Sequence, residues 1–284
     1  MKQLSLFFLS LIFLASCQKG SDEPDSGPLA AQTQMNVAYG SDPQQKMDLY
    51  LPAGRTDTTR LIVLVHGGAW VEGDKADFTT YVATLQQRLP GYAIANINYR
   101  LATASSNKFP TQENDMKAAV DYLAQKSGDL HISQKFVLLG ASAGGHLSLL
   151  QAYKYTNPRI KAVISFFGPT DMTALHNAYA GNTLNQIGIQ ILMNGTPTTN
   201  TALYMSSSPI NFVTAQSTPT LLLHGDADVV VPVAQSQALA TKLATFNVPH
   251  QIQVYPGMGH DVWPATQMND AFTRIENFIR QYSN

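Results

Sequence analysis

Cysteine is almost absent from this sequence of 284 residues, in which Cys17 is the only one. A disulfide bond within one chain is therefore impossible. Charge is also scarce, since charged residues make up 13 % of the chain and the formal net charge is −1. A net charge close to zero, without a cluster of basic residues, argues against a nucleic-acid partner. The metal motif His-Glu-x-x-His is missing as well, and we expect neither a metal nor a cofactor.

Long hydrophobic runs are lacking too, apart from one near the N-terminus. Residues 4–14 form an apolar run of eleven residues, which is too short to span a bilayer. The positively charged Lys2 precedes this run, and the sequence Leu-Ala-Ser-Cys follows it at residues 14–17. The arrangement is typical of a bacterial lipoprotein signal peptide.

This interpretation divides the N-terminal part of the chain. We expect residues 1–16 to be removed as a signal peptide, Cys17 to carry the lipid, and residues 17–34 to form a polar tether. The protein would then be an extracytoplasmic, membrane-anchored lipoprotein, either periplasmic or on the cell surface. An ordinary secretory signal with an incidental cysteine is the alternative.

Residues 35–284 alternate between apolar runs and helical patterns, which predicts one domain. Such alternation is typical of an α/β fold with a mostly parallel central sheet flanked by helices. Residues 172–208, rich in Asn, Thr, Gly and Ser, break the alternation and are expected to form a small lid insertion. The predicted strands lie at 46–51, 61–65, 93–98, 136–139, 162–167, 220–223 and 251–255. The predicted helices lie at 78–88, 111–124, 147–153, 233–246 and 265–282.

A Gly-x-Ser-x-Gly motif, Gly-Ala-Ser-Ala-Gly, follows one of the buried runs at residues 140–144. Between a strand and a helix, this motif places the serine on a sharp, strained turn that exposes its hydroxyl group. Ser142 would also lie at the N-terminus of a helix, where free N–H groups face a developing oxyanion. Ser142 is thus the candidate nucleophile. The alternative is a glycine-rich turn that has a similar sequence but no catalytic role.

A second glycine-rich turn, His-Gly-Gly-Ala-Trp, follows the apolar run at 61–65. Turns of this kind supply backbone N–H groups that stabilise an oxyanion. We expect Gly68 and Ala69 to be donors, together with Ala143, and each fixed donor is worth about 3 kcal/mol in the transition state. A plain turn at the end of a strand is the alternative.

Two more turns follow buried runs near the C-terminus. One is acidic, His-Gly-Asp-Ala-Asp, and the other is rich in glycine and ends at His260. His260 is the candidate general base, and an acid must orient its imidazole. Asp226 and Asp228 lie on the same acidic turn, and only one of them can reach His260. Asp171, after another apolar run, is a third candidate.

From about residue 35 onward, the sequence resembles bacterial α/β-hydrolase esterases related to hormone-sensitive lipase and kynurenine formamidase. It is most similar to the bifunctional feruloyl and acetyl xylan esterase group. The resemblance is carried by His-Gly-Gly-Ala-Trp at 66–70, Asn-Tyr-Arg-Leu at 98–101, Gly-Ala-Ser-Ala-Gly-Gly-His at 140–146, Phe-Gly-Pro-Thr-Asp at 167–171, Ser-Pro-Ile at 208–210, His-Gly-Asp-Ala-Asp at 224–228 with Val-Pro at 231–232, and Gly-His at 259–260.

The resemblance implies an α/β-hydrolase fold and a catalytic triad of Ser142, Asp228 and His260. The order nucleophile, acid, base is that of the α/β-hydrolases and differs from the orders in two other classes of serine protease. Ala69 stands where lipase-type members have a third glycine, which favours short acyl groups.

The sequence therefore predicts a serine hydrolase that cleaves carboxylic esters with short-acyl or aromatic groups, including acetyl or feruloyl groups linked to glycans. An amide hydrolase with the same triad, either an arylformamidase or a peptidase, is the first alternative. A catalytically silent binding lipoprotein is the second, and would be expected to lack a triad residue. The identity of the ester and the oligomeric state stay open.

Overall fold

The computed structural model describes residues 27–155 and 157–283 of the chain. The expected signal peptide at residues 1–16, the lipidation residue Cys17 and most of the expected tether lie outside the described residues. In the part of the chain that the structure describes, no helix has both the length and the apolar character needed to cross a membrane.

Within the described residues, eight strands form one sheet in the order β1-β2-β4-β3-β5-β6-β7-β8. Strand β2 is antiparallel to both of its neighbours, and all other neighbouring pairs are parallel. The fold prediction of a mostly parallel sheet is thereby confirmed. The strands are β1 (Gln32–Ala38), β2 (Lys46–Leu51), β3 (Leu61–Val65), β4 (Ala93–Ile97), β5 (Phe136–Ala141), β6 (Ile160–Phe166), β7 (Thr220–Gly225) and β8 (His250–Tyr255).

Helices cover both faces of this sheet. On one face pack α2, α4 and α8, and on the other pack α1 and α9. The helices are α1 (Thr79–Arg88), α2 (Thr111–Gln125), α3 (Ser127–Leu130), α4 (Ala143–Lys154), α5 (Met172–Ala178), α6 (Thr183–Leu192), α7 (Thr201–Ser206), α8 (Ala234–Thr245) and α9 (Ala265–Tyr282), with short 3₁₀ turns at Lys75–Phe78 and Pro209–Phe212.

The central strand β5 shows how the sequence builds two core layers. Successive side chains of a strand point to opposite faces, and Phe136 and Leu138 pack in the layer with α2, α4 and α8. Val137 and Leu139 pack in the layer with α1 and α9. Because both faces are covered, β5 is apolar throughout, as expected for a strand of a buried parallel sheet.

Strand β1 is absent from the sequence-based prediction. Five of its seven residues are exposed, and Met35 is 56 % exposed. An edge strand with little burial has no need of alternating apolar residues, so its sequence shows no clear pattern. The strand begins at Gln32, and the sheet therefore starts before the predicted domain boundary at Met35.

The predicted insertion at 172–208 is helical, which the sequence analysis did not anticipate. It holds α5, α6 and α7, all at the edge of the sheet where the parallel strands end. Two of these helices begin at side-chain caps, since Asp171 accepts a hydrogen bond from the N–H of Ala174 and Asn182 accepts one from that of Asn185. Such short capped helices, rich in Asn and Thr, resemble loops in sequence.

Close approach of the backbone at the β5–α4 turn requires glycine. A Cβ atom at residue 144 would overlap the carbonyl oxygen of Val65, and one at residue 140 would overlap the carbonyl oxygen of Gly144. Gly144 therefore lets the start of α4 approach the end of β3, where the second glycine-rich turn begins.

We expect Gly144→Ala to destabilise the protein by about 1–3 kcal/mol, because the new methyl group can be accommodated only by moving backbone. Denaturant unfolding would measure this change. Gly128→Ala is the matched control, since a Cβ atom there has no neighbour within 4 Å. A Gly144→Ala protein as stable as the control would contradict this account of the turn.

Candidate active site

Ser142 connects strand β5 to helix α4 through a single residue with φ 53° and ψ −121°. This backbone conformation is unfavourable for a residue with a side chain and costs of order 1–3 kcal/mol. Two hydrogen bonds hold it: the N–H of Ser142 donates to the carbonyl of Phe166 at 2.9 Å, and its own carbonyl accepts from His146 at 3.0 Å. The strained turn predicted from the Gly-x-Ser-x-Gly motif is present.

His260 lies beside Ser142 although 118 residues separate them in the sequence. Its Nε2 is 2.8 Å from the Ser142 Oγ, and its Nδ1 is 2.6 Å from the Oδ2 of Asp228. A carboxylate only accepts hydrogen bonds, so the proton of the neutral imidazole lies on Nδ1. Nε2 is then free to accept the hydrogen of the serine hydroxyl.

The loop that carries His260 is fixed by several contacts. The imidazole packs against Phe167, with ring centroids 4.5 Å apart. The indole N–H of Trp263 donates to the carbonyl of Gly259 at 3.0 Å. The carbonyl of Met258 accepts from the N–H of Ala227 at 3.0 Å, which ties this loop to the acidic turn. The three side chains Ser142, His260 and Asp228 are therefore held on adjoining loops at one edge of the sheet.

The Asp228 carboxylate is fully buried and has a complete set of donors. Its Oδ1 accepts from the N–H groups of Val230 and Val231 at 2.9 and 2.8 Å. Burial by itself raises the pKa of this carboxyl, but hydrogen bonds from His224, His260 and Val231 outweigh it and hold the pKa well below its usual range. The group is therefore a permanent anion beneath His260.

His224 is a supporting residue that the sequence analysis regarded only as the first residue of the acidic turn. Its buried Nε2 lies 2.8 Å from the carbonyl of Val231 and 3.3 Å from the Oδ2 of Asp228. Its Nδ1 lies 2.7 Å from the hydroxyl of Ser236. With the proton on Nε2, all three contacts are satisfied. The imidazole of His224 therefore stabilises the acidic turn.

The two other candidate acids lie elsewhere. Asp226 is exposed, and its Oδ1 accepts from the N–H of Gly257 at 2.6 Å. Asp171 caps the N-terminus of α5 by accepting from Ala174 at 2.9 Å. Of the three aspartates that the sequence left open, Asp228 is the one in contact with His260.

The turn after β3 has an unusual backbone, with φ of 100° at Gly68, 49° at Ala69 and 64° at Trp70. It lies next to the nucleophile, since a Cβ atom at Gly67 would be 3.3 Å from that of Ser142. In the part of the chain described here, the N–H groups of Gly68, Ala69 and Ala143 donate no hydrogen bond. These three N–H groups, which the sequence predicts to be oxyanion donors, are thus free to donate at the edge of the sheet where Ser142 lies.

His66 and Tyr99 stabilise this turn through hydrogen bonds to the carbonyl of Gly67. The His66 Nδ1–H donates to the carbonyl of Gly67 at 2.7 Å, and the imidazole stacks on the Tyr99 ring with centroids 4.3 Å apart. The Tyr99 hydroxyl donates to the same carbonyl at 2.9 Å. Burial lowers the pKa of His66, so it is a neutral structural group.

A second neutral histidine links the turn to the insertion. The indole N–H of Trp70 donates to the Nδ1 of His146 at 3.2 Å, and the His146 Nε2–H donates to the carbonyl of Ser207 at 2.7 Å. Complete burial lowers the pKa of His146 to about 4. The sequence analysis assigned no partner to His146, because its contacts come from segments 61 and 76 residues away.

Among the described residues, no group of three or more His, Cys, Asp or Glu side chains is placed to hold a metal ion. The chemistry that this arrangement offers is that of a serine nucleophile with an oriented imidazole base. A carbonyl carbon at the Ser142 Oγ would have its oxygen beside the free N–H groups of the two turns.

Known proteins are similar to this chain in sequence. The model of the BD-FAE family matches residues 47–243. Esterase LipC of Mycobacterium tuberculosis is 27 % identical over 245 residues, which cover 79 % of this chain and 58 % of LipC. This chain thus spans little more than half the length of that relative.

Two solved structures are also similar. A truncated carbohydrate esterase from gut microbiota is 26 % identical with a TM-score of 0.72, covering 87 % of this chain and 97 % of that one. A bifunctional GH43-CE protein of Bacteroides eggerthii is 26 % identical with a TM-score of 0.74, covering 87 % of this chain and 38 % of that one. These findings confirm the resemblance inferred from the sequence motifs. The chain belongs to the BD-FAE family of α/β-hydrolase esterases.

Proposed function

We propose that this protein is a serine carboxylic-ester hydrolase with Ser142 as nucleophile, His260 as general base and acid, and Asp228 as the residue that orients His260. The observation that carries this proposal is the continuous row of hydrogen bonds from Ser142 Oγ through both imidazole nitrogens to the Asp228 carboxylate, 2.8 and 2.6 Å long. Membership in a family of esterases supports the choice of an ester as substrate.

In the first half of the reaction, Ser142 Oγ attacks the ester carbonyl carbon while His260 Nε2 takes the hydroxyl proton. The carbonyl oxygen becomes an oxyanion, which the N–H groups of Gly68, Ala69 and Ala143 stabilise. The C–O bond to the alcohol then breaks, and His260 returns the proton to the departing oxygen. An acyl group remains on Ser142.

In the second half, water replaces the alcohol. His260 takes a proton from the water as its oxygen attacks the acyl carbon, and a second oxyanion forms in the same place. The bond to Ser142 then breaks, the serine regains its proton, and the carboxylic acid leaves. Throughout, the Asp228 anion keeps the imidazole proton on Nδ1 and stabilises the imidazolium formed in each half.

The proposed substrates are esters with short-acyl or aromatic groups, including esters linked to glycans. Two similar solved proteins are described as a carbohydrate esterase and as a bifunctional GH43-CE protein, which supports the glycan-linked class. An extracytoplasmic position, with an anchor at Cys17, would bring the enzyme to polymers too large to enter a cell.

We expect Ser142→Ala to lower kcat for p-nitrophenyl acetate by about 10⁴-fold or more, because no other group can form the acyl-enzyme. Circular dichroism and thermal unfolding would show that the fold is retained. A variant that keeps a tenth or more of the wild-type rate would contradict the role of Ser142. Cleavage of N-formylkynurenine but not of any ester would instead support an amide hydrolase.

The assignment of the acid is tested by comparing Asp228→Asn with Asp226→Asn. An amide at position 228 can donate an N–H to Nδ1 of His260, which favours the wrong imidazole tautomer, and in a serine protease the corresponding change lowers kcat about 10⁴-fold. We expect a loss of that order for Asp228→Asn.

Asp226→Asn is the matched control, since Asp226 is exposed and its Oδ1 has a backbone N–H partner that an amide oxygen can also serve. We expect it to keep kcat within about threefold of the wild type. Initial rates with p-nitrophenyl acetate measure both variants. If only Asp226→Asn is inactive, the acid has been misassigned.

A further inference from the structure

A cavity of about 200 Å³ opens beside Ser142, between the turn after β3 and the insertion. Ala69 and Trp70 of that turn line the cavity, as do Gly188, Ile189 and Leu192 of helix α6. A dry apolar cavity of about 150 Å³ is large enough to hold a benzene ring. The cavity therefore has room for a group considerably larger than acetyl.

The walls of this cavity are mostly apolar, and Asn185 of α6 is the lining residue with an amide side chain. Among the described residues that line it, none has a charged side chain. The hydroxyl of Tyr179 already donates its hydrogen to the carbonyl of Val230 at 2.9 Å. Exposed apolar side chains, Val71 and Leu184, lie at its border. A carboxylate would lose its hydration here with no cationic side chain among the described lining residues to compensate it, whereas an apolar group would be stabilised.

The position of His260 decides which half of the ester enters. His260 must protonate the departing alcohol oxygen, so the alcohol half lies on the side of its imidazole. Of the residues described, Ser142 and Ala69 border the cavity, whereas His260 does not. The cavity therefore extends from the carbonyl carbon in the direction of the acyl group.

Gly188 stands out among the lining residues. It lies in the middle of α6, where glycine costs about 1 kcal/mol relative to alanine. A Cβ atom at this position would have no heavy atom within 4 Å, so a side chain would extend into open space at the cavity wall. Packing therefore does not require glycine here, whereas a side chain at this lining position would narrow the cavity.

We propose that this cavity is the acyl-binding subsite, that it takes an uncharged apolar acyl group about as large as a six-carbon ring or chain, and that Gly188 sets its size. This inference rests on the proposed function, because it concerns the same Ser142. Helix α6 of the insertion thus determines acyl specificity by the absence of a side chain.

The test uses p-nitrophenyl acetate and p-nitrophenyl hexanoate, which share one leaving group and differ only in the acyl group. For Gly188→Leu we expect kcat/KM with hexanoate to fall by at least about tenfold relative to that with acetate. Gly188→Ala should give a smaller change in the same direction, since it adds one carbon.

Thr183→Leu is the matched control, because it adds a similar side chain to an exposed position of the same helix outside the cavity. We expect this variant to keep the wild-type ratio. Thermal unfolding of all variants shows whether α6 remains folded. A fixed acetyl group with phenyl and hexyl alcohols provides the second series, in which Gly188→Leu should leave the preference unchanged.

The outcomes separate the two claims. If the wild type hydrolyses neither p-nitrophenyl ester, the proposed function is wrong. If the wild type hydrolyses both, while Gly188→Leu loses nothing or loses equally with both, the inference about the cavity is wrong and the proposed function stands. A change that follows the alcohol instead of the acyl group would also overturn the acyl assignment.

Discussion

The site depends on one constraint: the chain turns from strand β5 into helix α4 at a single residue, Ser142, which is not glycine. Ser142 adopts φ 53°, and this conformation persists because β6 holds its N–H and because glycine at 144 lets α4 approach the end of β3. The same close approach places the turn at Gly68 and Ala69 next to the nucleophile. The strain at Ser142 and the free N–H groups beside it therefore have one structural cause.

A row of hydrogen bonds links the buried Asp228 carboxylate, the His260 imidazole and the half-buried Ser142 hydroxyl. The Asp228 carboxylate is held by backbone N–H groups and two imidazoles, so it stays charged inside the protein. That charge fixes the proton of His260 on Nδ1 and leaves Nε2 as a base. His66 and His146 are neutral and buried, and each is hydrogen-bonded to the turn after β3. The histidines near the site thus divide into one that faces the serine and others that hold the surrounding turns.

Sequence reasoning predicted the parallel core and the turns that carry Ser142 and His260, because buried strands are apolar throughout and end at glycine-rich turns. It could not choose between Asp226 and Asp228 by spacing, since two residues on one turn differ only in the direction of their side chains. It missed β1, which is exposed and polar, and the helices of the insertion, which are short and begin at polar caps. The contacts of His146 and the position of Gly188 at the cavity depend on α4, the insertion and the turn after β3 meeting in space, which no local sequence pattern shows.

The central claim is that Ser142 is an activated nucleophile, and a fluorophosphonate probe tests it most directly. The probe reacts with a serine only where a base removes its proton and donors stabilise the adduct. Mass spectrometry of the labelled protein and its peptides should find one adduct, on Ser142, and none in Ser142→Ala. An unlabelled wild-type protein, or an adduct on another residue, would contradict the account.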